Sequence, residues 1–138
     1  MRFYVDTNVW RDLLESRDDG LKPLGEFAHQ FLKQAILSGD KILYSDLVVE
    51  ELMAVYSGKE IEKYCLESIR DVNLLEKVVI TNGQFGQAVE VARQRGVPRG
   101  DALHAILARD AKAIVITRDK HFEALQDVVE SRKPEEVT

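Results

Sequence analysis

Met1-Arg-Phe-Tyr-Val-Asp-Thr-Asn-Val-Trp10 decides how this chain is to be read. Phe3, Tyr4 and Val5 are strong strand formers, and the run ends in an acid, a small hydroxyl residue and an amide, after which apolar residues take up helical spacing. That is a strand delivering one carboxylate, Asp6, to the edge of a sheet. In open α/β sheets ligands gather outside the carboxyl ends of the strands, so Asp6 is a candidate site residue. A helix-capping role for Asp6 or Thr7 competes, since both are good cap residues. What decides between the two is whether other acids reach the same place. If they do, the capping role falls to Thr7 or Asn8.

Working outward, a first helix is expected over about 7–15, with Val9, Leu13 and Trp10 inward, ended by the polar cluster Ser16-Arg-Asp-Asp-Gly20. Pro23 suits the first turn of a second helix, in which Leu24, Phe27, Ala28, Phe31, Leu32 and Ala35 recur at helical spacing until Gly39. His29 falls on its solvent side. Residues 41–44 read as a strand, and Ser45 or Asp46 as the cap of a helix to about Tyr56. A helix from about Lys59 places Ile61, Tyr64, Cys65 and Ile69 on one face, so Cys65 reads as a small buried residue and not a nucleophile.

Residues 76–80 form a third strand, followed by a helix capped at Thr81 or Asn82 with Phe85, Ala88, Val89 and Ala92 inward and Gly96 and Pro98 at its end. A last long helix is expected from about Gly100 to Asp110. Ala113-Ile-Val-Ile-Thr117 is a continuous β-branched run, as a strand covered on both faces requires. After Arg118 come a short turn or helix, an edge strand at Asp127-Val-Val129 and, over about 131–138, a polar tail. Strands alternating with helices argue for an α/β fold, a parallel sheet sandwiched between helices, in one domain over 1–138.

The chain carries 19 basic and 24 acidic residues, a net charge of −5, so no overall basic field advertises nucleic acid. That balance leaves room for a metal-dependent nuclease, whose own site must be acidic. Cys65 is the lone cysteine, which excludes an internal disulfide and a cysteine-built zinc site. With neither a signal sequence nor an apolar run of roughly 20 residues, a cytoplasmic protein with no membrane partner is expected.

Three further acids fall where Asp6 leads. At about 100° per residue from Leu47, Val48, Leu52 and Val55 lie at about 100°, 140° and 80°, which puts Glu51 at about 40°, inside the apolar arc, and Glu50 at about 300°, outside it. A carboxylate on a packed face needs a metal ion or a basic partner. Asp101 opens a helix whose alanines, Ala102, Ala105 and Ala108, permit close approach to the sheet; Asp119 follows the strongest strand just as Asp6 follows the first. Each has a local explanation as a cap or turn acid. Together they belong to one rim, where like charges repel unless cations are bound. Oxygen-only ligands suit Mg2+ or Mn2+, one or two ions, and the chemistry this favours is phosphodiester hydrolysis.

Val5-Asp-Thr-Asn8, Ser45 with Glu51-Leu52, Gly100-Asp-Ala-Leu-His-Ala105 and Thr117-Arg-Asp-Lys-His-Phe122 together resemble the PIN-domain nucleases, in order and spacing, over nearly the whole chain. The resemblance implies a three-layer α/β/α sandwich around a mostly parallel sheet of about four or five strands. It also implies Mg2+- or Mn2+-dependent cleavage of RNA, with Asp6, Glu51, Asp101 and Asp119 as catalytic metal ligands and Asn8 and Thr117 as supporting polar residues. Many such chains are toxins of toxin–antitoxin pairs, often homodimeric and inhibited by a small antitoxin protein; others are RNA-processing nucleases. Where many relatives carry a further acid in the last motif, this chain has His121, which bears on a second metal position.

RNA would have to be met by basic residues near the acids, and Arg11, Arg99, Arg118 and Lys120 flank them in sequence. Rivals fare less well. Aspartyl phosphotransfer of the haloacid-dehalogenase kind expects a second acid where Asn8 stands, and a receiver domain needs an acid where Thr81-Asn-Gly83 follows the third strand. An inactive RNA-binding or protein-interaction module of the same fold would not require all four acids.

Overall fold

Strand β1 (Arg2–Val5) forms the middle of a five-stranded sheet in the order β3 (Leu75–Val78), β2 (Lys41–Ser45), β1, β4 (Ile114–Ile116), β5 (Ser131–Arg132), with every pairing parallel. The structure is a computed structural model, and it describes residues 1–15 and 24–137. The expectations placed on Ser16–Gly20 and on Pro23 fall outside the described residues. From β1 the chain runs through α1 (Thr7–Glu15) and α2 (Leu24–Leu37) to β2 (Lys41–Ser45). It then passes through α3 (Asp46–Met53), α4 (Gly58–Ile61), a π-helical turn (Glu62–Leu66) and α5 (Glu67–Asp71) to the edge strand β3 (Leu75–Val78). Helices α6 (Asn82–Arg95) and α7 (Arg99–Asp110) carry it back across to β4 (Ile114–Ile116), and a 3-10 helix (Lys120–Leu125) leads to β5 (Ser131–Arg132).

Alternation along β1 shows why both faces must be covered. Phe3 meets Phe31 of α2 edge-on at 5.2 Å between ring centroids, while its neighbour Tyr4 meets His104 of α7 at 5.5 Å on the opposite side. Both β1 aromatics are buried, as are Ile42, Leu43, Val115 and Ile116 on the flanking strands. The result is a three-layer α/β/α sandwich. Trp10 is fully buried under the end of β1, its indole donating to the Val5 carbonyl at 3.0 Å. Because the strand order turns back between β1 and β4, a crevice opens outside their carboxyl ends.

Several expectations need correction. Tyr64 is 59% exposed although Ile61, Cys65 and Ile69 are buried. The π-helical turn winds more loosely than the 100° step assumed for an α-helix and rotates Tyr64 off the apolar face. Phe85 and Val89 are 50% and 45% exposed, because α6 packs on α7 through the narrow stripe of Ala88 and Ala92 and not broadly on the sheet. Val55 lies beyond the end of α3 and is exposed.

The last strand is Ser131–Arg132, not 127–129: Val115 N donates to Glu130 O and Thr117 N to Arg132 O, both at 2.9 Å. Residues read as a polar tail therefore complete the sheet, and the 3-10 helix Pro134–Val137 after them packs on α2 with Pro134 buried. Cys65 is buried as expected, its thiol pushed up to about 12 by burial.

Candidate active site

Asp6 stands at the crevice. Helix α1 starts at Thr7, so Asp6, and not Thr7 or Asn8, holds the cap position: its carbonyl accepts from Val9 N and Trp10 N. Its side chain does something more specific. Oδ1 accepts from Thr7 N at 2.8 Å, and Oδ2 accepts from Thr117 Oγ1 at 2.7 Å and Asn8 Nδ2 at 3.2 Å. Thr117, at the end of β4, ties two acids together, since its hydroxyl also accepts from Asp119 N at 3.0 Å. Asn8 closes the arrangement by donating to Thr117 Oγ1 at 3.3 Å and accepting from Arg118 N at 3.3 Å.

Asp101, in the first turn of α7, and Asp119, which caps the 3-10 helix through the amide of His121, come to the same crevice. Among the described residues, the side chains close enough to share an ion are Asp101, Asp119 and His121, whose ligand atoms all lie within 4.8 Å of one another. Asp6 and Glu51 stand outside that group but line one cleft with Thr7, Asn8, Arg11, Asp101 and Asp119.

Glu51, and not Glu50, is the acid that α3 delivers. Its Oε1 accepts from Thr7 Oγ1 at 2.7 Å and from His104 Nε2 at 2.6 Å. His104, in the stretch 100–105, is a further member of the site that no motif role marks. It is 1% exposed, lies 3.6 Å from Asp6 Oδ1, and its Nδ1 is 2.7 Å from the Tyr4 hydroxyl, which in turn is 2.7 Å from Ser45 Oγ. A hydrogen-bonded chain thus runs through the interior from β2 to the cleft. The signal was present: a histidine set among Ala102, Leu103, Ala105 and Ile106 on a packed helix must find polar partners.

Electrostatics follow from this geometry. Burial raises the pKa of Asp6, although His104, Thr117 and the Thr7 amide pull it back. Asp101 is pushed up to about 6, first by burial and then by the charges of Asp119 and Asp6. Burial works against Glu51 too, but the hydrogen bond and charge of His104 hold it below the usual carboxylate range. The carboxylates in turn raise His104 against the cost of its burial, and Asp101 raises His121.

The sign of the pH dependence follows. For the aspartates a raised folded-state pKa penalises the ionised form in the native state. For the histidines it adds stability that is present below the unfolded value of about 6.5 and lost above the folded one. Both make the protein more stable as pH falls from 8 to 5. Thermal melts in chelator are expected to show Tm rising by about 3–5 °C over that window. The rise should shrink in Asp101→Asn; an unchanged slope would mean the acids are solvated independently.

The basic residues divide. Arg11 is partly exposed on the cleft wall, where its guanidinium donates to Glu15 at 3.4 Å, and Arg99 and Lys120 are exposed. Arg118 is otherwise engaged: its guanidinium makes a bidentate pair with Glu135 at 3.0 and 2.7 Å, lies 3.5 Å from buried Asp12 and covers the Phe27 ring.

Known structures share this framework. The chain aligns with VapBC2 from Rickettsia felis bound to a DNA fragment from their promoter at 18% identity and a TM-score of 0.66, covering 96% of this chain and 98% of that one. FitAcB from Neisseria gonorrhoeae aligns at 22% identity and 0.64, covering 96% and 98%. A toxin–antitoxin complex from Klebsiella pneumoniae aligns at 19% and 0.62, covering 95% and 96%. At these identities the likeness is one of fold. No curated protein sequence matches the chain. The family profile of the PIN domain matches residues 3–128, from the first strand through the turn before β5, and the chain therefore belongs to the PIN domain family.

Proposed function

We propose that this protein is a divalent-metal-dependent endoribonuclease that hydrolyses RNA phosphodiester bonds at the cleft between β1 and β4. The observation that carries this reading is the meeting of Asp6, Glu51, Asp101 and Asp119 on one cleft wall, from four segments far apart in sequence. The donor set fits the implied ion: carboxylate oxygens, several already braced by hydroxyl and amide donors, are the hard ligands of Mg2+ and Mn2+. Asp101 and Asp119, close enough to share an ion, would hold one, and Asp6 and Glu51, which line the same cleft, would serve that ion or a second one. When bound, such an ion supplies a water acidic enough to be activated near neutral pH and neutralises charge developing on phosphate.

The chain's own part is positional. Thr117 and Asn8 keep Asp6 and Asp119 in fixed orientation, and His104 and Thr7 turn Glu51 Oε1 inward, which leaves Oε2, 3.6 Å from where a side chain on Gly100 would begin, on the cleft side. The substrate and partners belong to the same proposal: an RNA backbone, a small antitoxin protein and a second copy of the chain, in the cytoplasm. The toxin reading is supported by the shared fold with the K. pneumoniae toxin–antitoxin complex, which matches over nearly its full length.

Incubation of a mixed RNA and of single-stranded DNA with Mg2+ or Mn2+ tests the activity, with Asp119→Asn as control. RNA cleavage that chelator abolishes and Asp119→Asn lacks is expected; equal cleavage by both proteins would refute the site. Arg11 and Arg118 give opposite expectations. Arg11→Ala should lower the salt slope of RNA binding by about one and leave Tm nearly unchanged. Arg118→Ala should leave that slope alone and cost about 1–3 kcal/mol of stability, because its partners are structural.

A further inference from the structure

His121 has no task in the chemistry proposed above, yet it is held more firmly than a half-exposed side chain requires. It lies in the turn between Asp119, whose Oδ1 accepts its backbone amide at 2.9 Å, and Phe122, which is buried and anchors the turn. Held so, the ring places Nδ1 2.8 Å from Asp101 Oδ2 and 2.9 Å from Asp119 Oδ1. Adjacent ligands on an ion with bonds of about 2.0–2.2 Å stand about 3 Å apart, so Nδ1 stands from each carboxylate oxygen as a neighbouring ligand would, and the ligand atoms of the three residues all lie within 4.8 Å of one another. A neutral imidazole protonated on Nε2 presents Nδ1 as a lone-pair donor.

Resting on the metal-dependent reading, we infer that His121 Nδ1 joins Asp101 and Asp119 as a ligand of the divalent cation, and that this nitrogen biases the site away from magnesium toward first-row transition ions. The physical reason is ligand softness. Magnesium holds oxygen ligands and gains little from imidazole, whereas transition ions bind nitrogen more tightly along the series from manganese to copper. An acid at this position would give an all-oxygen set and remove the discrimination. The histidine therefore changes which ion loads the cleft without altering the other ligands.

The test needs no RNA and no turnover. Titration calorimetry with MnCl2 and MgCl2 compares wild type, His121→Ala, His121→Asp and Asp101→Asn, and pulsed electron paramagnetic resonance on the Mn2+ complexes reads directly bound nitrogen. Expected are a nitrogen coupling in wild type that disappears in His121→Ala, and a manganese-to-magnesium affinity ratio about tenfold or more above that of His121→Asp. Manganese binding that Asp101→Asn abolishes, but with no nitrogen coupling and an unchanged ratio in His121→Asp, would overturn the role of His121 and leave the acidic metal site standing. No binding of either ion to wild type would overturn both. The side chain is half exposed, so the variants are expected to fold, and a single cooperative melt of each in chelator would confirm it.

Discussion

Asp6→Asn is expected to lower kcat/KM for RNA by about 10²–10⁴-fold, a loss of about 3–5 kcal/mol of transition-state stabilisation, while leaving the protein at least as stable as wild type. The two halves of that expectation come from the same burial. At 3% exposure the ionised carboxylate is penalised, which is why its pKa is raised, so at pH 7 the native state bears a cost that neutral asparagine removes. Asparagine keeps the oxygen that accepts from Thr7 N but sets an amide nitrogen against the Thr117 hydroxyl and Asn8 Nδ2, a cost of about 1 kcal/mol that the relieved charge offsets; the Asp6 carbonyl still receives Val9 N and Trp10 N, so the start of α1 survives. Melts with and without Mn2+ separate the roles. Wild type should gain Tm with the ion, Asp6→Asn should gain less, and in chelator the variant should equal or exceed wild type. A variant that keeps its activity but melts several degrees lower would mean that Asp6 is only a helix cap.

His104→Ala should show the opposite balance, with a loss of about 2–4 kcal/mol in stability together with weakened catalysis. Removing a fully buried ring leaves a cavity and takes one partner each from the Tyr4 hydroxyl and Glu51 Oε1. Among the described residues Glu51 then keeps the Thr7 hydroxyl and can swing toward solvent, so its contribution to the cleft is lost with the fold's. His104→Gln separates the two effects, because its amide can donate to Glu51 while filling much of the space. Partial recovery of kcat at comparable stability is expected of Gln and not of Leu. Equal activity in the Gln and Leu variants would reduce His104 to packing.

Much of the site could be read from short windows. Asp6 and Asp119 each terminate a β-branched or aromatic run, and a parallel strand ends where its hydrophobic burial ends, so the position of the acid is a local matter. Glu51 was reachable by helix phase because α3 is regular as far as Met53, and the structure gives it, and not Glu50, to the cleft. Where the winding changed, phase failed, as at Tyr64 in the π-helical turn. Arg118 shows a different failure. Its neighbours in sequence are Thr117 and Asp119, but its partners are Glu135 and Asp12, and no local pattern distinguishes a cation facing RNA from one that clamps the C-terminal helix.

By itself the sequence determined the alternation of strands and helices, the parallel sheet they must form, and which acids end which elements, because strand propensity, helical period and capping act over a few residues. What each acid faces is set by contacts between elements distant in sequence. The distance between Tyr4 and His104, or between Asp6 and Thr117, spans 100 and 111 positions along the chain, and such contacts follow from strand order and layer packing. Tertiary pairing alone also joins the segment after Glu130 to β4, since a two-residue strand carries no propensity signal and is held by the hydrogen bonds of its neighbour. The N-terminal stretch put the carboxylate at the rim; the fold brought the hydroxyl, the amide, the buried imidazole and the other acids that give it chemistry.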